Sequence, residues 1–97
     1  MKNSIVQFNK ECYVCKTKQN LHRHEIFYGT ANRKKSIEDG CVVYLCGKHH
    51  NLSMEGVHFN KSLDTKLKRL GEICWLEYYG KQISDFIARY GKNYFEE

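Results

Sequence analysis

The sequence predicts a small α+β fold. Three observations carry this expectation. Leu21–Tyr28 and Cys41–Cys46 are short segments rich in β-branched and aromatic residues. Apolar residues recur at helical spacing from about residue 61 onward. Two half-motifs, Cys12-x-x-Cys15 and Cys46-x-x-His49, bracket the strand region. At 97 residues, one domain over 1–97 is the default. It divides into a lead-in (1–11), a central segment (12–60) and a helical cap (61–97). A core of this size is thin, and chains this small often gain stability from a staple.

Taken in order, the lead-in offers Ile5, Val6 and Phe8, able to add a strand or to pack loosely. Cys12-Tyr13-Val14-Cys15 reads as a tight turn, and Lys16 to Asn20 as a polar loop. Leu21–Tyr28 is the first strand. The polar, basic stretch from Gly29 to Asp39 reads as a loop with room for a turn of helix. Cys41–Cys46 is the second strand, placed to pair antiparallel with the first. A short helix begins near Gly47, carries His49, His50 and Met54, and ends at Gly56. A longer one follows, capped by Ser62, with Asp64 near its positive end and Leu63, Leu67, Leu70 and Cys74 as its apolar stripe, widened by Ile73 and Leu76. Gly71 inside it should cost ~1 kcal/mol relative to Ala. Gly80 ends this helix. Ser84 caps a last one, which presents Ile83, Phe86, Ile87 and Tyr90 and stops at Gly91. Tyr78, Tyr79, Tyr90, Tyr94 and Phe95 are expected to pack these helices together.

Composition narrows the function. No apolar run is long enough to span a bilayer, and the first residues carry no apolar signal-peptide region. The simplest address is therefore the cytoplasm, where thiols stay reduced. Five cysteines cannot all pair within one chain, which turns attention from disulfides to metal. A net charge of +5 favours a polyanionic partner, though only modestly.

The paired half-motifs are the clearest chemical signal. Two intervening residues let a tight turn aim both side chains at one ion, and thiolate and imidazole are the ligands tetrahedral zinc prefers. Cys12, Cys15, Cys46 and His49 thus form a candidate structural zinc site of Cys3His type. Thirty residues separate its halves, so the ion would tie the chain start to the end of the second strand. Cys41 and Cys74 sit in apolar patterns and read as core thiols.

Four further histidines, His22, His24, His50 and His58, lie in the segment that this knuckle closes. Phosphodiester hydrolysis needs an activated water, neutralised phosphate charge and help for the leaving oxygen. A neutral imidazole and one divalent ion can supply all three. His50 and His58 can hold such an ion, facing His24 on the strand.

The ordered motifs Cys12-x-x-Cys15, Leu21-His22-Arg23-His24-Glu25-Ile26, Gly29-x-x-Asn32-Arg33, Val43-Tyr44-Leu45-Cys46-x-x-His49-His50-Asn51 and Gly56-Val57-His58-x-Asn60 resemble the small phage-associated HNH (His-Me finger) endonucleases. The resemblance covers Cys12 to about Gly80. It implies a ββα-metal core gripping one catalytic divalent ion (Mg2+, Mn2+, Ni2+ or Zn2+), with nucleic acid, above all DNA, as partner and substrate. It implies a bacterial or phage-encoded chain and products with a 5′-phosphate and a 3′-hydroxyl.

Two departures matter. Family members usually carry His-His or Asp-His where this chain has His24-Glu25; His24 is the expected general base, with metal ligation as its alternative role. His22 shares its strand face and is a spare candidate, while Glu25 could orient an imidazole. On the helix, His50 matches the first metal histidine, but Met54 stands where many members place the second. Met is a poor ligand for magnesium, and His58 is the replacement. Asn32 is the candidate for the family's loop-bracing asparagine, with Asn51 competing. Arg33, Lys34 and Lys35 are the candidate phosphate contacts. The rival to the nuclease expectation is a non-catalytic zinc module that binds nucleic acid or a protein, with a purely regulatory scaffold as a third.

Overall fold

The computed structural model describes residues 3–54 and 56–95. Strands β1 (Leu21–Glu25) and β2 (Val42–Cys46) flank helix α1 (Asn32–Asp39) in sequence. Helices α2 (Gly47–His50), α3 (Lys61–Tyr79) and α4 (Ile83–Tyr90) follow. The two strands pair antiparallel, with His22 opposite Leu45, Arg23 opposite Tyr44 and His24 opposite Val43. The molecule is α+β, as the sequence predicts. No helix among the described residues is long and apolar enough to cross a membrane.

Helix α1 corrects the loop expected between the strands. It spans eight residues and stops at Gly40, whose backbone is left-handed (φ 79°). The apolar pattern gave no sign of it, because the helix buries polar side chains, Ser36 and Asp39. The Ser36 hydroxyl donates to the Phe27 carbonyl at 2.6 Å and accepts from the Phe27 N–H at 3.0 Å. This pins α1 to the chain leaving β1. Asp39 is the larger polar anchor. It accepts from Trp75 Nε1 at 2.8 Å, Tyr90 Oη at 2.8 Å, and Arg89 Nε and Nη2 at 2.6 and 2.9 Å. One carboxylate therefore ties α1 to α3 and α4, satisfying groups that would be costly to bury unpaired.

The core lies between the sheet and the last two helices. Phe27 is its centre, with ring centroids 4.5 Å from Tyr90, 5.2 Å from Phe86 and 5.5 Å from Tyr94. The buried face of α3 is Leu67, Gly71, Glu72 and Trp75, which corrects the expected stripe. Leu63 and Leu76 pack only partly on the core, and Ile73 is exposed. Gly71 explains the rotation. A Cβ there would come within 3.1 Å of both Ile26 and Phe27, so the missing side chain lets α3 approach the end of β1. Cys41 is a core thiol, as expected, and Cys74 is half-buried.

Caps differ from expectation by two residues. The Asn60 side chain, not Ser62, accepts the Leu63 N–H at 3.1 Å. At α4 the Asp85 carboxylate accepts the Gln82 N–H at 3.0 Å, and Ser84 lies inside the first turn. Helix α2 ends at His50, so Met54 lies outside it and is exposed. Tyr79, Tyr90 and Tyr94 pack as expected, whereas Tyr78 and Phe95 stay substantially exposed. The lead-in forms no strand among its described residues. It runs along the free edge of β2 instead: Ser4 Oγ donates to the Val42 carbonyl, and Gln7 Oε1 accepts the Tyr44 N–H. Covering an edge this way blocks unwanted pairing. Ile5 and Val6 pack partly on the core, but Phe8 does not.

Candidate functional site

Two groups of metal-ligating side chains are built on the sheet and α2. In the first, the Cys12–Cys15 turn meets the end of β2 and the first turn of α2. The backbone ties Tyr13 N to the Tyr44 carbonyl at 2.9 Å and closes the turn from Lys16 N to the Cys12 carbonyl. Ligand atoms of Cys12, Cys15, Cys46 and His49 lie within 4.8 Å of one another.

The separations can be tested against zinc. Bonds of about 2.3 Å to sulfur and about 2.05 Å to nitrogen in a tetrahedron require roughly 3.8 Å between sulfurs and roughly 3.6 Å between sulfur and nitrogen. Cys15 Sγ and Cys46 Sγ are 3.8 Å apart. His49 Nδ1 lies 3.6 Å from Cys12 Sγ and 3.3 Å from Cys46 Sγ. The group can hold a zinc ion with little rearrangement. Burial pushes the Cys12 thiol up, but the N–H groups of Cys15, Cys46 and Val14 outweigh it and bring it down to about 6. Cys12 is therefore ready to ligate as thiolate at neutral pH. Burial raises the Cys46 thiol, which an ion would have to reverse.

The second group is histidine alone. Strand β1 delivers His24, α2 delivers His50, and the chain beyond α2 delivers His58; their ligand atoms also fall within 4.8 Å of one another. The last placement depends on a close backbone approach. Val57 N donates to the His49 carbonyl at 2.8 Å. A Cβ on Gly56 would sit 2.7 Å from the His50 carbonyl oxygen, so only glycine lets this segment close. His58 Nε2 then lies 3.3 Å from His50 Nε2, a spacing suited to two ligands on one ion. His24 is 2% exposed, and its Nε2 is buried without a hydrogen-bond partner among the described residues. Burial, reinforced by His50, His58, Lys68 and Arg33, pushes His24 down to about 3. Burial, with His58 and His22, brings His50 to about 4. Both rings are neutral at pH 7, the state in which imidazole ligates or accepts a proton.

His22 stands one place removed. Its Nδ1 is 2.9 Å from His50 Nδ1, so one ring donates and the other accepts. If His50 Nε2 offers its lone pair to an ion, His50 Nδ1 carries the proton and donates to His22. His22 then orients His50, as outer partners of metal-bound imidazoles do.

A cavity of about 270 Å³ opens beside these rings, lined by Arg23, Glu25, Tyr28, Arg33 and Asn51 together with the three histidines. Arg33 Nε lies 3.6 Å from Glu25 Oε1. The other expected site residues are distributed differently. Asn32 donates to the Tyr90 carbonyl at 3.1 Å and braces α1 against α4; Asn51 is the asparagine that faces the cavity. Lys35 donates to the Arg89 carbonyl at 2.7 Å, Lys34 is exposed, and Arg33 alone of the basic run lines the cavity. Arg23 and Tyr28 were missed by sequence reasoning. The signal for Arg23 was its place next to His24 on the strand; Tyr28, four residues further along, gave none.

Compared with known proteins, the chain matches no family model, no curated protein and no solved structure.

Proposed function

We propose that this chain is a metal-dependent endonuclease of the HNH type that hydrolyses phosphodiester bonds in DNA. In this reading β1, β2 and α2 are the ββα-metal finger, and the Cys3His group is its structural zinc staple. The observation that carries the reading is the convergence of His24, His50 and His58 beside an open cavity with two arginines on its wall. The fit to an ion rests on His24 Nε2, a buried polar atom with no hydrogen-bond partner among the described residues.

That convergence favours the ligand role for His24 over the base role. His24, His50 and His58 would hold the ion, and His22 would keep His50 in the ligating tautomer. When bound, a divalent ion neutralises charge on the phosphate and stabilises the departing oxygen. The proton acceptor must then come from elsewhere in the cavity. Glu25 is the one carboxylate among the described residues that line it. It takes the proton of a water whose oxygen attacks phosphorus. The bond from phosphorus to the 3′-oxygen breaks, the 3′-oxygen is protonated from solvent, and the phosphate stays on the 5′ side. Arg23 and Arg33 hold the phosphate oxygens through charge-assisted hydrogen bonds.

Zinc-replete protein incubated with supercoiled plasmid and Mg2+, Mn2+ or Ni2+ tests this. His24→Ala is expected to lose both nicking and binding of the added ion, measured by calorimetric titration. Glu25→Gln is expected to keep the ion and lose roughly 100-fold or more in rate. A His24→Ala protein that still binds the ion but no longer nicks would return His24 to the base role. Nucleic-acid binding with no cleavage under any ion would leave only a zinc-stapled recognition module.

A further inference from the structure

On the flank of the sheet, next to the histidine cavity, lies a second cavity of about 250 Å³ that the catalytic reading does not use. Phe8, Lys10, Arg23 and Tyr44 line it, with Asn3, Ser4 and Gln7 on the lead-in side. Arg23 belongs to both cavities. Arg23 and Tyr44 stand directly opposite each other across the two strands and so share one face of the sheet.

The chemistry here is that of a stacking site. Phe8 is 93% exposed, at the lip of a cavity whose wall holds a second aromatic ring. Nothing in the core needs Phe8: the lead-in is anchored by Ile5, Val6 and the Ser4 and Gln7 hydrogen bonds. Lys10 Nζ sits 5.7 Å from the centre of the Tyr44 ring. Two aromatic faces flanked by two cations are the features that grip single-stranded nucleic acid: rings stack on bases and cations follow the phosphates. The volume falls below the roughly 300–1,000 Å³ that engulfs a drug-sized ligand. It suits one planar ring.

We infer that Phe8, Tyr44, Lys10 and Arg23 form a subsite for a single unpaired nucleobase, immediately beside the phosphate held in the histidine cavity. The inference rests on the nuclease reading for its substrate class, and it adds a preference: the strand to be cut is unpaired or has a base turned out of the stack at this position. Arg23 bridges the two sites, so the phosphate and the base it holds belong to neighbouring positions of one strand.

The test is binding without turnover. Affinity for a fluorescein-labelled 12-nucleotide oligothymidine and for a labelled duplex of equal length is measured by anisotropy, with zinc-replete protein and no other divalent ion. Phe8→Ala is expected to weaken single-strand binding roughly tenfold and to leave duplex binding within twofold. Phe8→Trp is expected to retain single-strand affinity, and its indole fluorescence to be quenched by the oligomer; Trp75 is buried and contributes little to that signal. Circular dichroism checks that both variants are folded. Unchanged single-strand affinity in Phe8→Ala, equal losses on single strand and duplex, or no quenching of Trp at position 8 would each overturn the subsite. Plasmid nicking by the wild-type protein separates the two claims. Wild-type protein that nicks plasmid while Phe8→Ala still binds single strands normally sinks the subsite alone. Single-strand binding that depends on Phe8, in a protein that nicks nothing, keeps the subsite and sinks the nuclease.

Discussion

Replacing Cys46 with serine should cost this protein a large share of its stability, because the change removes a cross-link as well as a side chain. With Cys15 on one side and Cys46 on the other, a bound ion would close a loop of thirty intervening residues. The entropy withheld from the unfolded chain by such a closure is about 3.6 kcal/mol at 25 °C, treating the metal as a covalent link. A domain of this length holds about 5–15 kcal/mol in total. For a chain this short, each kcal/mol is worth about 4–8 °C, so the melting midpoint should fall by about 15–30 °C. The assay is thermal melting followed by circular dichroism, paired with elemental analysis of zinc in the same preparations. Wild-type protein should carry one zinc per chain and Cys46→Ser close to none. Cys74→Ser makes the same chemical change at a half-buried thiol outside the cluster. It should keep its zinc and lose about 1 kcal/mol or less. If Cys46→Ser melts within a few degrees of wild type, or if wild-type protein holds less than half an equivalent of zinc, the stapling argument is wrong.

Two further outcomes follow from the polar architecture. Asp39→Ala strands Trp75 Nε1, leaves Tyr90 Oη only the Cys41 sulfur at 3.8 Å, and leaves the Arg89 guanidinium only Glu38. It should lower urea-unfolding stability by about 3 kcal/mol, the low end for a broken buried pair because Arg89 is partly exposed. A loss under 1 kcal/mol would mean that α1 is held by other contacts. The second outcome concerns acid. Because the fold holds His24 down to about 3, the unfolded chain takes up a proton near pH 6.5 that the folded chain refuses. The contribution of His24 is therefore whole above pH 6.5 and declines as pH falls toward 3, with a slope of up to about 1.4 kcal/mol per pH unit. Stability measured from pH 6 to 4 with no added ion beyond zinc should depend less on pH in His24→Gln than in wild type. Parallel slopes would show that His24 takes its proton as freely in the fold as out of it.

The residues differ in how far they could be read from the chain alone. The Cys12–Cys15 and Cys46–His49 pairs were legible because each half is fixed by a local turn, and spacing within a turn is written in sequence. The same holds for the glycine stops at Gly80 and Gly91, both left-handed in the fold. Helix α1 was not legible, because its inward face is Ser36 and Asp39. Hydrogen bonds rather than an apolar stripe make that face stable, and a hydrophobic pattern cannot register them. The stripe on α3 was misplaced for a related reason: Gly71 is a contact through absence, visible only once Ile26 and Phe27 are seen against it.

By itself, then, the sequence determined the α+β class, the four zinc-competent ligands, the paired strands and the two terminal helices, all through interactions among residues near one another along the chain or through simple periodicity. The tertiary structure alone decided that His22 faces His50 from the side rather than joining the His24, His50 and His58 group, that Asn51 and not Asn32 looks into the site, and that Asp39 joins three helices. Those outcomes depend on the rotation and approach of whole elements. Sub-ångström differences in packing, such as the gap left at Gly56, set them, and no local rule of spacing encodes such gaps.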